Sequence, residues 1–429
     1  MVTLRKPAAP PRPTRWRSLL INLGLLGAPL AVCLVLVEAG LRLATGNENT
    51  TVLYEPDPAR IARMRPDLDL VIPDPFTRED VRLRTDARGD RIPEDGPPPE
   101  PPGTRRVVVY GDSNIAALYT AYADTYPARL AARLGPGFAV RNAGLYGAGP
   151  DQSLIRMEDE WDRDRPDLAI FHLFLENDFG DLLRDRLVAV GPDGRLVRTG
   201  RAETDPAFGA LHRLAANFLT ARYLQQALGA LRSGAGEELT ADSTPLVVEE
   251  AAGTIPADRY IALHLERAEH EVDRYEHGPP VSWFHDHYEY DLALRPDGEG
   301  AGLKRELMRA VLAEARRFVA ERVGRVLFLV EPAAQDMTRD LPIGPKELAA
   351  ASPAYRPRAS EEFVTGVLKD LGADAVSLWD PFERAGADGL FIVGDGHWNK
   401  AGMDLAARET DRHVRERWPE LFGPSTAAR

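Results

Sequence analysis

Val107-Val108-Val109-Tyr110-Gly111-Asp112-Ser113-Asn114 is the stretch on which the reading of the fold rests. A continuous run of β-branched residues marks a strand buried on both faces, as in a parallel sheet with helices on either side. The run stops at Gly111-Asp112-Ser113, a turn of small polar residues. That turn sets one hydroxyl at the carboxyl end of the strand, where α/β sheets hold their ligands. A serine there acts as a nucleophile only with a base in reach, so a histidine and donors for an oxyanion are the residues to find. Taken alone, the tripeptide is also an ordinary strand-ending turn.

Outward from this strand the pattern alternates strand and helix, the mark of a mostly parallel sheet. Strands are predicted at Arg105–Tyr110, Phe138–Asn142, Leu168–Phe174, Arg325–Glu331 and Asp374–Leu378. Helices are predicted at Pro127–Leu134, Asp151–Asp162, Ala207–Leu231, Leu303–Val323, Glu361–Leu371 and Ala401–Trp418. The alternation breaks between about Arg184 and Gly302, which reads as an inserted subdomain or lid, residues 184–302. Upstream, residues 38–104 read as a juxtamembrane segment with one or two short strands, such as Val81–Thr85, and a stiff Pro-rich linker at Gly96–Gly103. The catalytic domain is expected over 105–420.

The amino terminus has a different character. Residues 1–17 form a basic cytoplasmic tail, and 18–37 supply roughly the twenty apolar residues of a spanning helix. The positive-inside bias puts everything after Glu38 outside the cytoplasm, in the periplasm or at the cell surface. A cleaved signal peptide competes with this reading, but no small-residue cleavage site closes the run. Asn22, Gly24 and Gly27 are of the kind that pack helices together in membranes, and are common in spanning segments. The lone Cys33 has no partner in the chain and reads as a membrane residue. Net charge is −13 although the tail contributes +5, and so acidic a remainder argues against nucleic acid as a partner.

Four stretches then converge on one chemistry: Gly111-Asp112-Ser113-Asn114; Asn142-Ala143-Gly144-Leu145-Tyr146-Gly147-Ala148-Gly149 after the second strand; Glu176-Asn177-Asp178 after the third; and Gly394-Asp395-Gly396-His397-Trp398-Asn399 before the last helix. In order and setting they resemble the SGNH hydrolases, also called the GDSL esterase and lipase superfamily, over about residues 105–418. The resemblance implies a flavodoxin-like three-layer α/β sandwich and an acyl-enzyme on Ser113. It makes His397 the base, and the Ser113 N–H, the Gly144 N–H and the Asn177 amide the oxyanion hole. Two positions depart from the pattern. Leu175 stands where the third block usually has glycine, and Gly394 stands three before the histidine, where the acid usually lies. Asp395, two before His397, has the spacing seen in some bacterial polysaccharide O-acetyltransferases of the same broad superfamily and is the expected acid. Asp380, or a dyad supported by a backbone carbonyl, is the alternative. The physics agrees: the base must be a neutral imidazole whose other nitrogen is held by an acceptor. Asp112 and Asp178 read as carboxylates that hold their loops.

Further substrate contacts are expected from Asn114, Tyr146, Trp398 and, in the insertion, Trp283, Tyr288 and Tyr290. His285 and His287 alternate as strand residues that could converge on a metal, but no third ligand is identifiable, so an aromatic, substrate-facing patch is the reading and no metal or cofactor is implied. The resulting expectation is an extracytoplasmic serine esterase acting on an ester-bearing substrate, such as an O-acetylated glycan, tethered to the membrane by its N-terminal helix. An O-acyltransferase with the same residues and a non-catalytic glycan-binding or assembly protein are the alternatives. The sequence names no protein partner.

Overall fold

The structure, a computed structural model, describes residues 15–44, 53–74, 79–201, 218, 220, 255–278 and 290–423. The chain divides into two units, Met1–Thr51 with Ala210–Ala235, and Val52–Gly209 with Gly236–Arg429. In the first, α1 (Arg15–Ala44) contains the apolar run Ser18–Val37. Many side chains of that run are not among those described. Among the described residues, no helix is long and apolar enough to cross a membrane. The helix expected at Ala207–Leu231 falls almost wholly outside the described residues.

The second unit is organised by an eight-stranded sheet. Its parallel part comprises β6 (Arg105–Gly111), β7 (Phe138–Gly144), β8 (Leu168–Phe174), β11 (Val326–Glu331) and β12 (Asp374–Ser377). Their spatial order is β7-β6-β8-β11-β12, the flavodoxin-like winding. The order reverses beside β6, and the crevice opens at its carboxyl end. Alternate residues of β6 face opposite layers. Val108 and Tyr110 pack with α4 (Pro150–Asp164) and α9 (Glu299–Glu321), through residues such as Leu154, Met157, Met308 and Val311. Val107 and Val109 pack with α3 (Tyr126–Leu134) and α13 (Lys400–Arg417), through Leu130, Leu134, Met403 and Ala406. The double burial inferred from the valine run is thus the sheet's central layer.

The segment before residue 105 is not a spacer. After a small hairpin, β1 (Tyr54–Asp57) with β2 (Ile61–Met64), the chain adds β3 (Asp69–Pro73), β4 (Asp80–Thr85) and β5 (Arg91–Ile92) as an antiparallel wing on β7. On β4, Val81, Leu83 and Thr85 are buried and alternate with Asp80, Arg82 and Arg84. This period-two pattern on one half-buried strand is weaker in sequence than the long parallel runs. The Pro-rich stretch Gly96–Gly103 connects the wing to β6 rather than marking a domain start. Within the insertion, the described residues form the hairpin β9 (Val188–Val190) and β10 (Leu196–Arg198), then α6 (Ala257–Ala268), α7 (Glu271–His277) and α8 (Tyr290–Leu294). Leu83 has no exposed surface, so Leu83→Ala is expected to cost about 2–4 kcal/mol in urea unfolding. A linker residue would cost almost nothing.

Candidate active site

Ser113 begins α2 (Ser113–Ala116), a single turn directly after β6. Asp112 caps it: its carboxylate accepts the Asn114 N–H at 3.0 Å. Gly111 is required by packing, because a Cβ there would lie 2.6 Å from Ile115 Cγ1 and 2.9 Å from His172 Cβ. The helix ends at Ala117, whose φ of 46° turns the chain away.

His397 is presented by a tight loop. Phe391 bridges Trp398, and the Ile392 N–H donates to the His397 carbonyl at 2.9 Å. Gly394 has φ +80° within this loop, a conformation that strains any residue with a Cβ. That backbone gives a physical reason why the acid is not three residues before the histidine. Asp395 uses one oxygen twice, accepting the His397 N–H at 2.8 Å and the Nδ1–H of the ring. The other ring nitrogen, Nε2, lies 2.6 Å from Ser113 Oγ. Ser113, His397 and Asp395 therefore form one hydrogen-bonded chain. Asp380 instead pairs with Arg358 at 2.9 Å on the exposed side of α12 (Trp379–Ala385).

The other predicted residues divide. Asn114 and Trp398, expected to touch substrate, are buried and join the two catalytic loops: Asn114 Oδ1 accepts the Trp398 N–H at 2.9 Å. Tyr146 stacks on the His397 ring, 5.7 Å between centroids. Tyr290 lines the cavity beside it. Trp283, Tyr288, His285 and His287 lie outside the described residues. Asp178 accepts the Phe174 N–H at 2.7 Å and so holds its loop. Gly144 needs correction as an oxyanion donor. Its N–H is donated to Asn142 Oδ1 at 3.0 Å, and a Cβ there would overlap the backbone of Ile115 and Ala116. Gly144 is a close-packing glycine. Farther along the loop, Gly147 has φ +78°; its carbonyl accepts from Arg184 at 2.7 Å. Asn177 lines the same cavity as His397, with its buried Oδ1 unpartnered among the described residues.

Several supporting residues were not expected. Arg91, from β5, is fully buried with no carboxylate partner among the described residues; its guanidinium donates to the carbonyls of Ala116, at 3.0 Å, Ala117 and Thr120. Burial pulls its pKa down to about 10, against Tyr122 and Glu94. It thereby caps the carboxyl end of the Ser113 turn. Asn142 assists by donating to the Ile115 carbonyl at 2.8 Å. Beneath the site, His172 of β8 is hydrogen-bonded to Glu331 of β11 at 2.9 Å, and its other ring nitrogen lies 3.3 Å from the Asp112 carboxylate. Burial, then the charges of Asp112, Glu176 and Asp178, push the Glu331 carboxyl well above the usual range. A polar residue within an apolar strand run, Phe171-His172-Leu173, was the available signal.

Two cavities meet at this chain of residues. The smaller, about 20 Å³, is lined by Ser113, Asn114 and apolar groups including Ala117, Leu118, Ile392 and Met403. The larger, about 220 Å³, is lined by Tyr146, Phe174, Asn177 and Tyr290 among others. Asp395 and His397 border both. No group of metal-ligating side chains is found among the described residues.

Comparison with protein-family models and with curated proteins gives no match. Among solved structures, the chain is similar to the native M. smegmatis aryl esterase (11% identity, TM-score 0.30, covering 73% of this chain and 99% of that one). It is also similar to Est24, a carbohydrate acetylesterase from Sinorhizobium meliloti (12%, 0.30, 73% and 99%), and to the acetyl xylan esterase AlAXEase (12%, 0.33, 72% and 99%). Likeness at this level carries no assignment. The sheet order and the site themselves define the class: a flavodoxin-like α/β protein with a serine–histidine–aspartate constellation at the switch point.

Burial opposes charge on His397, but the Asp395 carboxylate, helped by Asp112 and Glu176, outweighs it and raises the ring's pKa to about 9. Its positive form therefore adds stability that is complete below about pH 6.5 and lost as pH rises through about 9. A base must be neutral, so kcat/KM should rise with pH along a limb near 9. Asp395→Asn should move that limb to lower pH and cut the plateau by about 10³–10⁴-fold. An unmoved limb would mean that Asp395 does not hold the proton. Arg91→Ala should lower kcat/KM by about 10²-fold by letting Ser113 shift, and Arg91→Lys should recover part of the loss.

Proposed function

We propose that the chain is an SGNH-type serine esterase that removes a short acyl group, acetyl by size, from a larger hydroxylated alcohol. The observation that carries this reading is the Ser113–His397–Asp395 chain at the meeting point of two unequal cavities. The small apolar cavity beside Ser113 suits a methyl group; the larger one, which His397 also borders, suits the alcohol.

In the first step Ser113 Oγ attacks the ester carbonyl while His397 Nε2 takes its proton. Negative charge develops on the carbonyl oxygen, and the Ser113 N–H and the Asn177 amide are the donors proposed for it. Each such donor is worth about 3–4 kcal/mol when aimed at the developing charge. Collapse breaks the bond to the alcohol oxygen, which receives the proton from His397. Water then repeats the sequence on the acyl-enzyme and regenerates Ser113. Asp395 fixes the ring with Nδ1 protonated, leaving Nε2 free to accept.

The proposed setting is the extracytoplasmic face of a membrane, with Ser18–Val37 as the tether. Its support is the uninterrupted apolar run within the 30-residue helix α1 and the basic tail before it.

A fluorophosphonate should label wild-type protein at Ser113, mapped by peptide mass, and fail to label Ser113→Ala. Along a series of 4-nitrophenyl esters, kcat/KM should fall by about tenfold or more from acetate to octanoate. A preference for octanoate would overturn the acetyl reading while leaving the nucleophile in place.

A further inference from the structure

Acyl transfer through Ser113 and His397 leaves a second buried histidine without a role. His172 interrupts the apolar run of β8, the strand between β6 and β11. Its side chain and that of Glu331 on β11 have no exposed surface. Two ionisable groups at the centre of a sheet weaken it relative to apolar residues of similar volume. Departures of that kind concentrate where a protein uses them.

The His172 ring is wedged between the two loops that carry Ser113 and His397. On one side, a Cβ on Gly111 would lie 2.9 Å from His172 Cβ and 3.1 Å from Nδ1, so the ring lies directly against the end of β6. On the other, it meets the indole of Trp398 edge to face, 5.2 Å between centroids. Nε2 is hydrogen-bonded to Glu331 Oε2 at 2.9 Å, which fixes the rotation of the ring. Nδ1 is thereby turned towards Asp112, 3.3 Å from Oδ1, and makes no hydrogen bond elsewhere among the described residues. A buried ring nitrogen that faces a carboxylate is favoured as a donor to it, since left unpaired it costs its full desolvation.

Asp112 stands where its orientation matters to the reaction. Its Oδ1 accepts the Asn114 N–H at 3.0 Å. Its Oδ2 lies 3.5 Å from Ser113 Oγ, which also lies 2.6 Å from His397 Nε2. The serine hydroxyl has one proton and so donates to one acceptor at a time. A bond to Asp112 would withhold from His397 the proton that it must abstract.

We infer that His172, oriented by Glu331, is a positioning residue for acyl transfer: it holds Asp112 by Oδ1, so that Ser113 Oγ stays hydrogen-bonded to His397. No proton of the reaction passes through His172, and its effect reaches Ser113 through Asp112 alone. The inference rests on the esterase reading and adds a buried support to that same site.

The test uses full-length protein, with 4-nitrophenyl acetate for kcat and KM, a fluorophosphonate for the labelling rate of Ser113, and urea unfolding to establish that each variant is folded. His172→Asn sets an amide near the place of Nδ1 and gives up Glu331; His172→Gln reaches the place of Nε2 and gives up Asp112. His172→Gln should lower kcat and the labelling rate by about 30-fold or more at nearly constant KM, and His172→Asn should lie at least about fivefold above it. In an Asp112→Ser background, where serine still caps the turn but brings no carboxylate to Ser113, adding His172→Gln should change kcat by less than about threefold, because both substitutions act on one contact. Glu331→Leu, which frees the ring without altering His172, should also lower kcat and be suppressed by Asp112→Ser in the same way. Equal losses in His172→Asn and His172→Gln, or undiminished losses in the Asp112→Ser background, would make His172 a packing residue and overturn the inference while leaving the esterase in place. Folded wild type inert towards 4-nitrophenyl acetate and unlabelled at Ser113 would overturn the esterase reading and this role with it.

Discussion

One hydrogen bond, from Ser113 Oγ to His397 Nε2 at 2.6 Å, joins residues 284 positions apart, and much of the second unit holds its two ends. A parallel second link, the Trp398 N–H to Asn114 Oδ1, fixes the same two loops through their neighbouring residues. From below, Arg91 and Asn142 gather the carbonyls of α2. A bond of this kind is a weak contributor to stability by itself. Its geometry is dictated because each loop is anchored independently, one by the end of β6 and the other by the Phe391–Trp398 bridge and the Asn399 cap of α13.

The second feature of the site is its acidity. Asp178, Glu331 and Asp336 are buried and shifted well above the usual carboxyl range, with burial the leading cause in each. A carboxyl raised on folding opposes stability increasingly as pH rises past its unfolded value, so these groups weaken the fold at neutral pH. Clusters of perturbed acids of this sort concentrate at functional sites. Here the neighbouring charges have a consequence at the base: Asp112 and Glu176 add to Asp395 in holding the proton on His397.

The parallel strands were legible because a buried strand is a continuous apolar run, and the observed ends differ from the expected ones by a residue or two. The spacing Asp395-Gly396-His397 was legible as a chemical pair. Of the antiparallel wing, β4 was legible as a short strand at Val81–Thr85, but its place in the main sheet was not, since β5, which joins it to β7, has only two residues. Arg91 was hidden with it: an arginine in a polar segment reads as solvated, and only its burial beneath α2 reveals what it holds. Gly144 was assigned by the family resemblance, yet its N–H donates to the side chain of Asn142, two residues away.

By itself, then, the sequence determined the strand order along the chain, the nucleophile's turn and the residues able to act as base and acid, because hydrophobic period and local spacing are properties of neighbours in the chain. Tertiary structure alone decided that Asp395 and not Asp380 faces His397, that a segment before residue 105 caps the nucleophile's helix, and that Tyr260 and Tyr290 meet Glu176 around one cavity. Those relations join elements tens to hundreds of residues apart. They follow from packing against the sheet, which no local pattern records.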